Sequence, residues 1–148
     1  TNATVSLGGY TVEARSSTAG SYGLRWTGNA AEMLGPGKHY LIVGSGYSDA
    51  TVPGDASLAT GVGDKGSVVL KQGTTVIDAL CYWYGMTAPS FAGHTCEGVP
   101  FKKASDLASA ERKIGAAMGN CTDTGDSAAD FVSQTPATPM SSLDPPTP

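Results

Sequence analysis

The stretch Val68-Val69-Leu70-Lys71-Gln72-Gly73-Thr74-Thr75-Val76-Ile77-Asp78-Ala79-Leu80-Cys81-Tyr82-Trp83-Tyr84 reads as strand, turn, strand. Both arms are rich in β-branched and aromatic residues, which fit a pleated, half-buried surface. Gln72-Gly73 between them is a tight-turn signal, so the two arms are expected to pair as a hairpin. Upstream, Tyr10, Val12 and Ala14 alternate with Thr11, Glu13 and Arg15, and Tyr22, Leu24 and Trp26 alternate with Gly23, Arg25 and Thr27. A period of two predicts strands, with each trio on one face. Tyr40-Leu41-Ile42-Val43 is a short apolar run after the Gly35-Pro36-Gly37 turn, as expected of a strand buried on both sides. A last strand is predicted over Ala129 to Ser133. Short strands recurring between turn signals indicate an all-β chain.

Composition agrees. The chain has 148 residues, of which 20 are glycine and 9 are proline. Charged residues make up 15%, against about 25% in an average soluble chain. Nine basic and 13 acidic side chains leave a net charge of −4, a poor match for nucleic-acid phosphates. No apolar run reaches the length of a membrane span. The chain opens on Thr1 without a visible signal peptide, as expected of a processed product or a fragment. Lys102 to Lys113 carries a helix-like pattern with Ser105 as its cap, competing with an irregular reading. From Thr135 the sequence is TPATPMSSLDPPTP, with five prolines in fourteen residues, so 135–148 is expected to be an extended linker or surface tail after a 1–134 domain.

Four motifs follow one another along the chain: Val5 to Val12, Leu34 to Gly37 with Tyr40 to Val43, Asp64 to Leu70 with Val76 to Asp78, and Cys121 to Asp126 with Ala129 to Val132. Their order resembles that of the lamin tail domain. Val5-Ser6-Leu7-Gly8-Gly9-Tyr10-Thr11-Val12 is similar to its opening, and Leu34-Gly35-Pro36-Gly37 with Tyr40 to Val43 to its next step. Asp64 to Leu70 with Val76-Ile77-Asp78 is similar to its hairpin. Cys121 to Asp126 with Ala129-Asp130-Phe131-Val132 resembles the ending of bacterial secreted members. The resemblance implies an immunoglobulin-like β-sandwich with a long irregular loop, serving as a non-catalytic extracellular or cell-surface module in bacteria. Such members sometimes sit beside hydrolases. Family members usually carry an earlier strand, and Thr1-Asn2-Ala3-Thr4 looks like the loop that follows it. The expected partner is therefore protein: a second chain, or another copy in a filament, donating the strand.

The chemistry-bearing residues are few. Cys96 and Cys121 both fall in loops, and their pairing would staple the long 85–128 excursion by roughly 3–4 kcal/mol. Cys81 would then be a buried thiol, although Cys81–Cys96 pairing stays open. His94 lies near Cys96, but a Cys–His dyad is defined by geometry, and no spacing suits zinc. Gly61-Val62-Gly63-Asp64-Lys65-Gly66 matches GxGxxG yet precedes a strand, so it reads as a turn rather than a dinucleotide loop. Asp123, Asp126 and Asp130 are the densest acidic cluster. They read either as carboxylates holding a turn's amides or as oxygen ligands for calcium. Tyr82, Trp83 and Tyr84 should point alternately, Trp83 opposite the tyrosines. They serve the core, or offer a platform for a glycan in an accessory module of a secreted hydrolase. Asn2 and Asn120 head glycosylation sequons. No paired catalytic constellation is visible, so no enzymatic activity is expected.

Overall fold

The computed structural model describes residues 3–113 and 122–146. The described residues are all-β apart from one short helix. Its strands are β1 (Val5–Ser6), β2 (Tyr10–Ser16), β3 (Gly23–Thr27), β4 (Met33–Leu34), β5 (Ile42–Val43), β6 (Ala56–Ser57), β7 (Gly66–Gln72), β8 (Thr75–Trp83), β9 (Phe101–Lys102), β10 (Ser109–Arg112) and β11 (Phe131–Gln134). Helix α1 spans Ser127–Asp130. The central sheet has the order β3-β2-β7-β8-β9, and three two-stranded pairs, β1-β4, β5-β6 and β10-β11, accompany it.

The expected hairpin forms. Gln72 pairs with Thr75 across a turn in which Gly73 takes φ +60°, a conformation glycine adopts without Cβ strain. β7 also pairs along its whole length with β2, Gly66 opposite Ser16. A Cβ on Gly66 would lie 2.1 Å from the Arg15 carbonyl oxygen, so only glycine lets the two backbones close there. The GxGxxG stretch is thus a loop feeding β7.

Register assigns the faces. Val12 sits beside Leu70, and Ala14 beside Val68, which in turn sits beside Leu80. Glu13 and Lys71 occupy the opposite face and form an ion pair at 2.7 Å. That opposite face buries Val69, Ser67, Ala79 and Cys81 further along the sheet.

Three expectations are corrected. Tyr22, Leu24 and Trp26 do not share a face with one another as alternation predicts. Between β2 and β3 the register jumps from Val12↔Trp26 to Glu13↔Leu24, leaving Arg25 as an extra residue. Such a bulge reverses the side-chain alternation beyond it. Trp26 therefore joins Val12, while Leu24 stays 53% exposed. The region from Lys102 to Lys113 is not helical: its ends join β9 and β10, and the strand pairing of Ser109–Arg112 with β11 overrides the local helical pattern. The last strand begins only at Phe131, because Asp126 caps α1 by accepting from the Ala129 amide.

The Tyr40–Val43 run contributes only Ile42–Val43 to a strand, paired in parallel with β6, and is half-buried. The proline-rich segment lies along the body. Lys38 donates to the carbonyls of Ser142 and Asp144, and the Asp55 carboxylate accepts from the Ser142 amide and hydroxyl. Glu111 accepts from Thr138.

Candidate functional site

Three places are candidates for a site. The first is an apolar groove of about 410 Å³. Its floor is the sheet face carrying Tyr10, Val12, Trp26, Leu70 and Ile77. Its other wall comes from Val5 and Leu7 at the start of the chain and from Leu34, Tyr40 and Ile42. Trp26 and Tyr40 meet across it with ring centroids 5.5 Å apart. The Tyr40 hydroxyl donates to Glu32 at 2.7 Å, which orients the ring; burial and that carboxylate push the phenol up to about 12. Ile77, at the mouth, is 46% exposed. β8 pairs with β9 only at Tyr82 and Trp83, so among the described residues no strand covers its outer edge from Thr75 to Asp78. An apolar groove beside an unpaired strand edge presents both features that strand addition uses: main-chain donors and acceptors, and pockets for alternate side chains.

The second place is a carboxylate cluster around Arg112. Its guanidinium lies 2.6 Å from Asp78, 3.4 Å from Asp130, 3.7 Å from Asp123 and 4.0 Å from Glu97, and it stacks on Phe131 at 4.5 Å. Glu97, Asp123 and Asp130 each bring one carboxylate oxygen within 4.8 Å of the others. Of the three aspartates singled out from sequence, Asp123 and Asp130 belong to this set, and Asp126 instead caps α1. Asp130 is fully buried and accepts from the Thr124 amide and hydroxyl and from the Asp126 amide. Asp123 accepts from the Gly125 amide. The turn reading of these residues thus describes their contacts, and the positive charge they face is that of Arg112. Glu97 and Arg112 have no local sequence signal, since 15 residues separate one from the other and only the tertiary arrangement of the loop and β10 brings them together. Burial and the neighbouring charge of Asp78 push the Glu97 carboxyl up, and its Oε2 has no hydrogen-bond partner.

The third place is the 85–100 loop and the aromatics beneath it. Cys96 is bonded to Cys81, not to Cys121, with a Cα–Cα distance of 5.2 Å. The expected Cys96–Cys121 staple is therefore replaced by a shorter one, because β8 carries Cys81 directly under the returning loop. Cys121 lies outside the described residues. Neither Cys81 nor Cys96 is a free thiol, so His94 has no cysteine partner here. Its Nδ1 lies 2.8 Å from the Ser67 hydroxyl, which lies 2.7 Å from the Tyr22 hydroxyl. The Thr95 amide donates to Tyr22 at 2.8 Å. One proton arrangement satisfies this whole chain: Thr95 to Tyr22, Tyr22 to Ser67, Ser67 to a neutral His94. Burial and the Arg15 cation both push His94 below its ordinary 6.5. The unfolded chain therefore takes up this proton first as pH falls. The contribution of His94 is complete above about pH 6.5 and is lost as pH falls through the folded value. Thermal melts between pH 7 and 5 should show a falling midpoint, and His94→Gln should flatten that part of the profile.

The three aromatics point alternately, as expected. Tyr82 is buried, its hydroxyl donates to the Gly63 carbonyl, and burial with nearby Asp64 pushes it up to about 12. Lys103 lies over both Tyr82 and Tyr84 at 5.7 Å, and Lys65 over Tyr84 at 4.5 Å. Trp83 faces the other way and lines a groove of about 400 Å³ with Phe91, Val99, Pro100 and Lys102.

No protein-family model, curated protein or solved structure matches this chain. No helix among the described residues is long and apolar enough to cross a membrane. The disulfide fits an oxidising compartment.

Proposed function

We propose that the chain is an extracellular structural or adhesion module whose immunoglobulin-like β-sandwich, of the kind the lamin tail domain has, is completed by a strand from another chain. The carrying observation is the apolar groove beside the unpaired Thr75–Asp78 edge of β8. An extended segment laid there pairs with the β8 backbone and buries alternate apolar side chains against Trp26, Leu70 and Ile77. Exposed strand edges are otherwise blunted by charge, proline or a covering loop. The disulfide and the resemblance to secreted members support a location outside the cell. Joined end to end, such contacts build a filament, and used once they anchor the module on a surface partner.

Native mass analysis of material from its source tests this. The expected result is an assembly that releases a separate segment or further copies in denaturant. Ile77→Asp should abolish assembly while the isolated chain stays folded, and Leu24→Asp, on the opposite face, should leave it intact. A monomer in which the Thr75–Asp78 amides that point away from β7 are already protected from hydrogen exchange would overturn the proposal.

A further inference from the structure

We propose that the Trp83 groove binds a uronate-containing polysaccharide, with Lys102 pairing to a sugar carboxylate and the ring of Trp83 stacking on a sugar face. This takes up the ligand-binding reading of Trp83 and rests on it alone, independently of strand completion. The parallel register sets Lys102 beside Trp83 on one face of the sheet, and the ammonium lies 4.9 Å from the ring centroid. Lys102 is exposed and has no carboxylate within ion-pair distance among the described residues, although acidic side chains outnumber basic ones. The ammonium lies over the indole with no carboxylate partner among the described residues, so a sugar carboxylate draws it off the ring and leaves that face open for stacking.

The remaining walls are consistent with such a ligand. Phe91 and Pro100 add two further flat surfaces, and the groove's volume lies at the lower end of the range for small-ligand sites. The loop that supplies them is fixed before any ligand arrives. The disulfide ties Cys96 to β8, the Asp126 carboxylate accepts from the Val99 amide, and the Val99 carbonyl accepts from Ala128. Preorganisation of this kind lowers the ordering cost of binding. A pyranose ring with a carboxylate on its exocyclic carbon presents the apolar face and the charge a fixed distance apart, as Trp83 and Lys102 do. An acidic peptide offers the charge on a flexible stem without the flat face.

Titration with a galacturonate hexamer, a neutral glucose hexamer and a hexaglutamate peptide, followed through the two tryptophan indole N–H resonances, decides it. The uronate should shift the Trp83 signal and leave Trp26 unmoved, and added salt should weaken binding. Lys102→Gln, at an exposed position, should weaken it about tenfold, the loss of one charge-assisted hydrogen bond. Trp83→Phe, which keeps an aromatic face, should weaken it less than Trp83→Ala. The proposal is overturned by an unmoved Trp83 signal, by equal binding of the glucose hexamer, or by insensitivity to Lys102→Gln. Hexaglutamate binding that matches the uronate would also overturn it and mark the groove as a site for acidic peptides. An Ile77→Asp background keeps the result separate from strand completion.

Discussion

Arg112→Met is expected to destabilise the fold by about 3–5 kcal/mol, the range for removing one partner of a buried ion pair. Methionine keeps a flexible apolar stem against Phe131 and removes only the charge and its donors. What it leaves behind is Asp130, fully buried, with Glu97 and Asp78 close by. Among the described residues the guanidinium is the one cation that reaches all four carboxylates, so the loss falls on the whole cluster. For a chain of this length that corresponds to a fall in melting temperature of roughly 6–20 °C. Asp78→Asn provides the comparison: Asp78 is 38% exposed, and an exposed pair contributes about 1 kcal/mol or less. If both variants melt within a degree or two of the parent, Arg112 is not the element that holds α1 and β11 to the sheet.

The pH profile separates the carboxylates. Burial pushes Asp130 up, but the Thr124 hydroxyl and amide, the Asp126 amide and the Arg112 charge outweigh it and hold the group below its ordinary 3.8. The unfolded chain then binds the proton first on acidification. The contribution of Asp130 is complete above about pH 4 and is lost as pH falls through the folded value. Glu97 runs the other way. Its folded value is raised above its ordinary 4.5, so its contribution is complete below that value and is lost as pH rises through the folded one. In Arg112→Met the raised group loses its nearest cation. Measured against the parent at each pH, that variant should therefore recover part of its lost stability as pH falls from 7 to 5.

The hairpin was legible because turn chemistry and β-branched runs are local: Gln72-Gly73 and the arms beside it specify the pairing without help from the rest of the chain. The alternation of Tyr10, Val12 and Ala14 was legible for the same reason. The face of Leu24 was not, since one extra residue at Arg25 reverses every position beyond it and nothing in GLRWT marks the bulge. The Lys102–Lys113 pattern misled because a weak helical preference yields to a strand partner that lies about twenty residues further on. Asp123 and Asp130 stood out as an acidic cluster, whereas Glu97 and Arg112 were silent. Their meeting depends on β8, the 85–100 loop and β10 arriving at one place, which is tertiary information.

The cysteines show how close two readings can lie and how cleanly they separate. Cys81 and Cys96 fall within a single tryptic peptide, 72–102, because no lysine or arginine interrupts it. Cys121 falls in the peptide that runs from 114 to the end. Non-reducing digestion should therefore release 72–102 on its own, two hydrogens lighter than its reduced form, and unlinked to the C-terminal peptide. A linked pair of peptides would put Cys121 in the bridge and remove the loop's anchor to β8. The energetic consequence follows from a sequence separation of 15, for which crosslinking the unfolded chain contributes about 3 kcal/mol. Cys81→Ala with Cys96→Ala should lower the melting temperature by roughly 6–12 °C. The loss should be uneven. Cys81 is fully buried under the loop, and the same loop presents the Glu97 carbonyl to the Ser127 amide and the Val99 carbonyl to Ala128. Hydrogen exchange should accelerate first in 91–99 and α1, while the β2–β7–β8 ladder, whose pairing does not pass through the loop, keeps its protection. Uniform acceleration across the sheet would show that the bridge stabilises the whole chain equally and does not fasten one layer to another.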